Sequence, residues 1–480
     1  MIYLKIDNLN IETKPRIAII EACQLIGIKL PRFCYHELLS ISGNCRMCLV
    51  EVDTIEKPIA SCATEAKNGM EIFIENAFVK KARENSLELL LINHPLDCPI
   101  CDQAGECDLQ DQAKAFGTTQ SRYFYPKKTT EDKFLNPLIS TIMTRCITCT
   151  RCVRFASEIA GIDSLGTLGR GKETEINTFA KQLFKSEISG NIVDLCPVGA
   201  LTNSAYAFKA RPWELRISES VDITDSLCSK IYINTKENKI YRVLPKNEKT
   251  LKESLISDLS RYSFEYLHTD RLKNILHYSN ETNQLEKTST INEGFNHINN
   301  YLKKKRKKKK ITIFIDNKCD LETAYILNQI KFLKKGILKV INIDKIKKTN
   351  YFKSINNKQS LDFIKNTNEF CCTISTDIKI ENPVLNLKLR FKNQILDQKI
   401  LHFGFNSKTN IIRKIITLNI FNILKLFHGK IKKFSINLIK KKKSLLILGE
   451  NIFKRINSIK KKNKIDDFKR KHLPAKIRKY

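Results

Sequence analysis

The fold of this chain turns on two stretches, TRCITCTRC (Thr144–Cys152) and VDLCPVGA (Val193–Ala200). Cys146, Cys149 and Cys152 stand as C-x2-C-x2-C, and Cys196 is followed by Pro197. Small two-cluster electron carriers use paired C-x2-C-x2-C-x3-C-P runs, each lending its fourth cysteine to the other run's cluster. Here the fourth position of the first run is Ala156, and the other positions of the second are Ser186, Ser189 and Ile192. One cluster's ligands are gone. Cys146, Cys149, Cys152 and Cys196 remain as one complete [4Fe–4S] set, a pattern for which zinc has no use.

Two further cysteine groups lie upstream. Cys34, Cys45, Cys48 and Cys62 follow C-x10-C-x2-C-x13-C, combining a tight loop, SGNCRMC (Ser42–Cys48), with a distant fourth cysteine. That suits a [2Fe–2S] centre, and Gly43 lets backbone N–H groups approach the bridging sulfides and tune them. Four cysteines also suit zinc, although its usual pattern has two short-spaced pairs and this group has one. The flanking YLKIDN (Tyr3–Asn8) and LVEVD (Leu49–Asp53) read as strands, and IAIIEACQLIGI (Ile17–Ile28) as a short helix. A longer helix, NAFVKKARENSLELLLIN (Asn76–Asn93), carries apolar residues at three- and four-residue spacing. It delivers the chain to HPLDCPICDQAGECDLQDQ (His94–Gln112), where His94, Cys98, Cys101 and Cys107 form H-x3-C-x2-C-x5-C. Alone, one histidine with three cysteines fits a zinc site or an iron–sulfur centre, or His94 merely ends the helix before Pro95.

Eleven of the 16 cysteines belong to these groups. The other five, Cys23, Cys228, Cys319, Cys371 and Cys372, lack ligand-like spacing and are expected as small, partly buried packing residues. No signal peptide or Arg/Ser-rich transit segment opens the chain, so metal thiolates in a reducing compartment are expected in place of disulfides. No uncharged apolar run reaches about 18 residues. The best, Ile415–Phe427, is short and broken by Lys425, so no membrane span is expected.

The net charge of +34 sits in one half. Residues 1–270 hold 34 Lys/Arg against 35 Asp/Glu, and residues 271–480 hold 50 against 15. The basic half, with runs at Lys303–Lys310 and Lys440–Lys443, reads as a solvated face or a surface for acidic partner subunits rather than a nucleic-acid site. GTLGRGK (Gly166–Lys172) follows the phosphate-loop template until Glu173, where a carboxylate would face phosphate. With no G-x-G-x-x-G after a strand, no flavin or NAD site is expected. No Ser-His-Asp or paired-carboxylate constellation stands out, so no catalytic residue is expected.

Four stretches carry a family resemblance: PRFCYHELLSISGNCRMC (Pro31–Cys48), CPICDQAGECDLQDQ (Cys98–Gln112), RCITCTRCVRF (Arg145–Phe155) and GNIVDLCPVGALTNSAYAFKARPWELR (Gly190–Arg216). In this order they resemble the signatures of the large (75 kDa) iron–sulfur subunits of respiratory complex I, NADH:ubiquinone oxidoreductase. The resemblance covers residues 1–270. It implies a [2Fe–2S] cluster on Cys34, Cys45, Cys48 and Cys62. It implies one [4Fe–4S] cluster on His94, Cys98, Cys101 and Cys107, and a second on Cys146, Cys149, Cys152 and Cys196. The fold implied is a multidomain α+β chain. Residues 1–78 form a ferredoxin-like (β-grasp) domain, 79–118 a [4Fe–4S] segment with one histidine and three cysteines, and 119–215 a ferredoxin-like [4Fe–4S] domain. Residues 216–272 form a cluster-free domain resembling the 4Fe–4S domain of molybdenum oxidoreductases. Residues 273–480 form a reduced, Lys-rich α/β domain related to molybdopterin oxidoreductases but binding no molybdenum. ITIFID, ETAYILNQIKFLKKG and LKVINID read there as a strand–helix–strand unit.

The implied role is outer-sphere electron relay, from NADH by way of a neighbouring FMN-binding flavoprotein subunit toward ubiquinone. The expected order is [2Fe–2S], all-Cys [4Fe–4S], then His-ligated [4Fe–4S], with downstream iron–sulfur subunits as further partners. NADH oxidation and proton translocation are expected of the assembled complex alone. The implied place is the matrix side of the mitochondrial inner membrane, as an organelle-encoded protein, or else the cytoplasmic face of a bacterial membrane. Ala104 departs from the family's usual glycine, which matters only if that backbone needs positive φ. Cys228 is alone where some bacterial relatives carry an additional cluster. Two other functions fit parts of the pattern: the relay subunit of an NAD-linked hydrogenase or formate dehydrogenase, and a zinc-binding module whose basic half holds RNA.

Overall fold

Apolar alternation sets the first sheet of the computed structural model. β1 (Ile2–Ile6) and β2 (Leu9–Thr13) form an antiparallel hairpin. Its two-residue turn holds Asp7 at φ 47°, a region that Asp tolerates better than most residues. α1 (Ile19–Leu25), β3 (Leu49–Val52), β4 (Ile55–Ala60) and β5 (Glu71–Phe73) follow. The sheet order is β2-β1-β5-β3-β4, with β1 and β5 parallel and the other neighbours antiparallel. Leu4, Ile6, Val50, Val52 and Ile72 from the strands pack with Ile19, Ile20 and Cys23 of α1 in one core.

α2 (Ala77–Leu91) is the long helix read from the sequence. Asn76 caps it, its side-chain oxygen accepting from the Val79 N–H at 2.8 Å. The buried Arg83 clamps the helix onto β3, donating to the Leu49 carbonyl from Nε at 3.0 Å and Nη2 at 2.8 Å. The helix therefore ends at a fixed place, just ahead of His94. α3 (Asp108–Phe116) begins directly after Cys107.

The next segment contains β6 (Ile139–Thr141), α4 (Arg151–Arg154) running into a π-helical turn at Phe155–Ala160, β7 (Leu165–Leu168), β8 (Glu175–Thr178), α5 (Asn191–Leu195) and β9 (Leu201–Asn203). β6 pairs antiparallel with β9, and β7 with β8. The phosphate-loop look-alike leaves β7 through a turn and returns on β8, so no phosphate-binding helix N-terminus follows it. At the positions where a second ligand run would fall, the structure has polar bonds. Ser189 donates to Asp258 from its N–H at 2.9 Å and its hydroxyl at 2.7 Å, and the Gly190 N–H donates at 2.7 Å. Asp258 opens α6 (Asp258–Tyr262), which follows a three-stranded antiparallel sheet of β10 (Arg216–Val221), β11 (Lys230–Lys236) and β12 (Lys239–Pro245).

The described residues are 1–225, 227–246, 254–269, 274–279, 284–287, 290–304, 311–315, 319–333, 338–342, 370–395, 399–404, 413–416 and 444–449. The chain divides into two units, one of Met1–Phe264 with Asn382–Lys388, the other of Glu265–Glu381 with Leu389–Tyr480. In the second unit β13 (Leu276–Ser279) pairs with β14 (Gln284–Lys287), and α7 (Ile291–Lys304) follows. β15 (Ile311–Ile315) and β16 (Leu338–Asn342) are parallel, with α8 (Leu321–Leu333) between them in sequence, the strand–helix–strand unit expected there. β17 (Phe370–Ile374), β18 (Lys399–Phe403), β19 (Arg413–Ile416) and β20 (Ser444–Leu448) form a parallel sheet of order β19-β18-β17-β20. Cys371 and Cys372 are buried in β17, and Cys23 in α1. Cys228 departs from its expected packing role: it is exposed, on a loop at φ 53°. Lys305–Lys310, Lys440–Lys443 and residues 417–427 lie outside the described residues. Among the described residues no helix is long and apolar enough to cross a membrane.

Candidate iron–sulfur sites

The first set converges. The Cys34 N–H donates to Cys45 Sγ at 3.5 Å. The Cys45 and Cys62 thiols both donate to the Cys34 sulfur and hold its pKa down at about 2. The Cys62 sulfur also neighbours Cys48, whose pKa is lowered to about 6, and Cys45 and Cys62 are pushed up in return. All four side chains are buried. Gly43 at φ 66° and Arg46 at φ 55° turn the loop so that the N–H groups of Asn44, Cys45 and Met47 face sulfur. Such inward-pointing N–H groups make an anion cradle of the kind found at iron–sulfur sites. Four sulfurs that share protons among themselves are a donor set suited to a cationic iron centre.

The third set lines one cavity. Cys146, Cys149, Cys152 and Cys196 surround it with Ile147, Ile176, Val198 and Leu201. Thr148 and Thr150, at φ 49° and 61°, flank Cys149 and turn the backbone inward. The Thr148 N–H donates to Cys146 Sγ at 3.3 Å, and Arg151, Val153, Val198 and Leu201 offer N–H groups to the other three sulfurs. Burial raises every thiol of the set: Cys146 to about 11, Cys196 to about 12, and Cys149 and Cys152 upward as well. Lone thiolates are disfavoured in that cavity, and bound iron would be a counter-charge that offsets their burial.

The second set is less closed. Cys101 and Cys107 are buried, while Cys98 is exposed. Burial raises the Cys107 pKa to about 11, and the neighbouring Cys101 sulfur adds to the rise. Burial first, then Lys127 and Arg145, lowers the His94 pKa to about 4, so the imidazole is neutral. Its Nδ1 is buried with no hydrogen-bond partner. A buried, unpartnered nitrogen on a neutral imidazole is what a metal ligand requires. Among the described residues no group of three or more His, Cys, Asp or Glu closes on a single metal-ion position. Gly105, at φ 90°, takes the left-handed position of this loop, and Ala104 has no positive φ. The departure at Ala104 therefore carries no backbone strain.

Members of all three sets meet in one core, while Cys48 and Cys62 of the first set pack in the core of the first sheet. Phe33, Cys34, Cys45, Met47, Leu87, Cys107, Leu109, Ile147, Cys149, Val198 and Ala200 form a single buried cluster, with Cys146 and Cys196 packed against it. The Pro197 carbonyl accepts from the Asp108 N–H at 3.1 Å and lies 3.7 Å from Cys107 Sγ. Three arginines that the spacing argument passed over join the sets. Arg145 donates through Nε to Asp97 at 2.9 Å, beside Cys98. Arg151 donates to the carbonyls of Tyr35 at 3.0 Å and Leu195 at 3.2 Å, beside Cys34 and Cys196. Arg154 donates to the Cys34 and Cys149 carbonyls. The available signal was in the sequence: arginines interleaved with cysteines in a segment that becomes buried.

Family models match the chain in order. They describe a 2Fe-2S iron-sulfur cluster binding domain (residues 1–77) and an NADH-ubiquinone oxidoreductase-G iron-sulfur binding region (83–122). A ferredoxin-like domain of NADH-quinone oxidoreductase subunit 3 (136–202) and an NADH-ubiquinone oxidoreductase NDSU1/NuoG-like 4Fe-4S domain (215–265) follow. Within the last match the chain has one cysteine, Cys228. The NADH-ubiquinone oxidoreductase 75 kDa subunit of Reclinomonas americana is 40% identical over 470 residues, 95% of this chain and 67% of that protein. The mitochondrial NADH dehydrogenase [ubiquinone] iron-sulfur protein 1 of Solanum tuberosum is 52% identical over 267 residues, 56% of this chain and 36% of that one. A chain of an NAD+-reducing [NiFe]-hydrogenase in the H2-reduced state aligns at 28% identity and a TM-score of 0.40, over 44% of this chain and 90% of that one. With four family domains in order and relatives of this identity, the chain belongs to the family of the 75 kDa iron–sulfur subunit of NADH-ubiquinone oxidoreductase, complex I.

Proposed function

We propose that the chain relays electrons within complex I, from the NADH- and FMN-binding flavoprotein subunit toward ubiquinone. Cys34, Cys45, Cys48 and Cys62 would hold one [2Fe–2S] cluster. His94, Cys98, Cys101 and Cys107 would hold one [4Fe–4S] cluster, and Cys146, Cys149, Cys152 and Cys196 another. The observation that carries this reading is one buried core to which each candidate ligand set contributes: Cys34 and Cys45 from the first, Cys107 from the second and Cys149 from the third. When bound, the clusters supply one-electron carriers. The chain's own residues do the rest: they bury most of the sulfurs, with Cys98 exposed, and aim backbone N–H groups at them.

In this reading the chain docks on downstream iron–sulfur subunits in the peripheral arm, on the matrix side of the mitochondrial inner membrane. The second unit, with its parallel sheet, serves as a reduced molybdopterin-oxidoreductase-like scaffold that binds no molybdenum. The proposed order runs from the two-iron centre to the all-Cys and then the His-ligated four-iron centre. The test is anaerobic reconstitution with iron, sulfide and zinc analysis and low-temperature EPR. About ten irons per chain, in one two-iron and two four-iron centres, are expected. Stoichiometric zinc with little iron would overturn the proposal.

A further inference from the structure

The loop that carries Cys45 is fastened to the segment that carries Cys149 by a group of polar contacts, and one side chain touches the candidate ligand residues themselves. From α4, Arg154 donates through Nη2 to the Cys34 carbonyl at 2.6 Å and to the Cys149 carbonyl at 3.0 Å. Its Nη1 donates to the Ser40 carbonyl, and its Nε to Thr150 Oγ1 at 3.2 Å. One turn on, Glu158 accepts from the Ser40 N–H at 2.9 Å and from the Ser40 hydroxyl. Asn44 Nδ2 donates to the Thr148 carbonyl at 3.0 Å.

A guanidinium has five N–H donors in a flat fork, and Arg154 uses that geometry to reach acceptors on two loops at once. A lysine ammonium would keep the charge but is a point donor on a flexible stem, unable to reproduce the fork. A purely structural clamp could land on any carbonyl of these loops. This one lands, through a single nitrogen, on a residue of the first ligand set and a residue of the third.

Resting on the electron-transfer reading above, we propose that Arg154 is a positioning residue that fixes the separation of the [2Fe–2S] centre from the all-Cys [4Fe–4S] centre. Its guanidinium bridges the Cys34 and Cys149 carbonyls along the route the electron takes between the two. One electron would be exchanged, one centre being oxidised as the other is reduced, while Arg154 contributes only its fork of donors and its guanidinium charge. That charge favours the more negative, reduced form of both centres.

The test compares the full, anaerobically reconstituted chain as wild type, Arg154→Lys, Arg154→Gln and Asn44→Ala. Microwave power saturation of the two-iron EPR signal reads how strongly the neighbouring paramagnet relaxes it. At unchanged iron content, the half-saturation power should fall severalfold in Arg154→Lys and Arg154→Gln, and by less in Asn44→Ala. Both midpoint potentials should drop in Arg154→Gln and hold in Arg154→Lys, which separates charge from bridging. Hydrogen exchange gives a second readout: residues 34–45 and 148–154 should exchange faster in Arg154→Lys, with β4 and β5 unchanged. Saturation and exchange in Arg154→Lys equal to wild type would overturn the proposal. Wild type lacking two- and four-iron signals would instead overturn the electron-transfer reading beneath it. Should Arg154→Gln fail to fold, Arg154→Lys and Asn44→Ala carry the same comparison.

Discussion

At the scale of single residues, His94 and His36 are both half-buried imidazoles held neutral, for different ends. A neutral imidazole leaves a cluster one unit less negative than a thiolate would. In His94→Cys, the added negative charge should lower the midpoint potential of one four-iron centre and leave the other two centres unchanged, as redox titration followed by EPR would read. His36 is no ligand candidate. Burial, followed by Arg151, Arg32 and Arg154, pushes its pKa down to about 4. The unfolded chain takes up that proton first, near pH 6.5. The contribution of His36 to stability is therefore fully present above about pH 6.5 and is lost as pH falls through about 4. Urea unfolding of wild type and His36→Gln should show a stability gap that narrows between pH 7 and pH 5.

At the scale of elements, the loops are held by caps and close approaches. Asn76→Ala removes the N-cap of α2 and should cost about 1 kcal/mol in urea unfolding. The loop Cys196–Gly199 meets the second set so closely that a Cβ on Gly199 would stand 2.3 Å from Cys101 Sγ and 3.1 Å from the Gln103 Cβ. Gly199→Ala should therefore displace Cys101. The expected result is a loss of about four irons per chain, with the two-iron EPR signal retained. This also explains why C-P-V-G carries meaning beyond Cys196: its glycine makes room for a sulfur of a different set.

At the scale of the first unit, the antiparallel sheet β10–β12 is tied to the second set by one ion pair. Arg242 on β12 donates to Glu106 from Nη1 at 2.6 Å and Nη2 at 2.8 Å, with its guanidinium 4.7 Å from the Tyr206 ring centre. Its Nε is buried without a partner. Glu106→Ala would leave that guanidinium buried and uncompensated, at a cost of about 3 kcal/mol or more. Replacing both partners should cost less than replacing Glu106 alone, a comparison that urea unfolding makes directly. The segment around Ser189 is held in the same way. Ser189 and Gly190 donate to Asp258, and Arg261 pairs with Asp194 near the end of α5, which ties this segment to α6 within the unit.

What the sequence determined by itself was everything that spacing encodes. Cysteine intervals and the proline after Cys196 separated the candidate ligand sets. Alternation over β1 and β3 and the helical period of α2 placed the elements around them, because burial on one face imposes a period on the chain. What only the tertiary structure decided was how the sets relate to one another. Arg145, Arg151 and Arg154 reach carbonyls and a carboxylate between 44 and 120 positions away, and no local period records such a contact. The same holds for Gly199 against Cys101 and for the exposure of Cys228. Spacing within a loop is local chemistry, whereas the packing of one loop on another is set by the core they share.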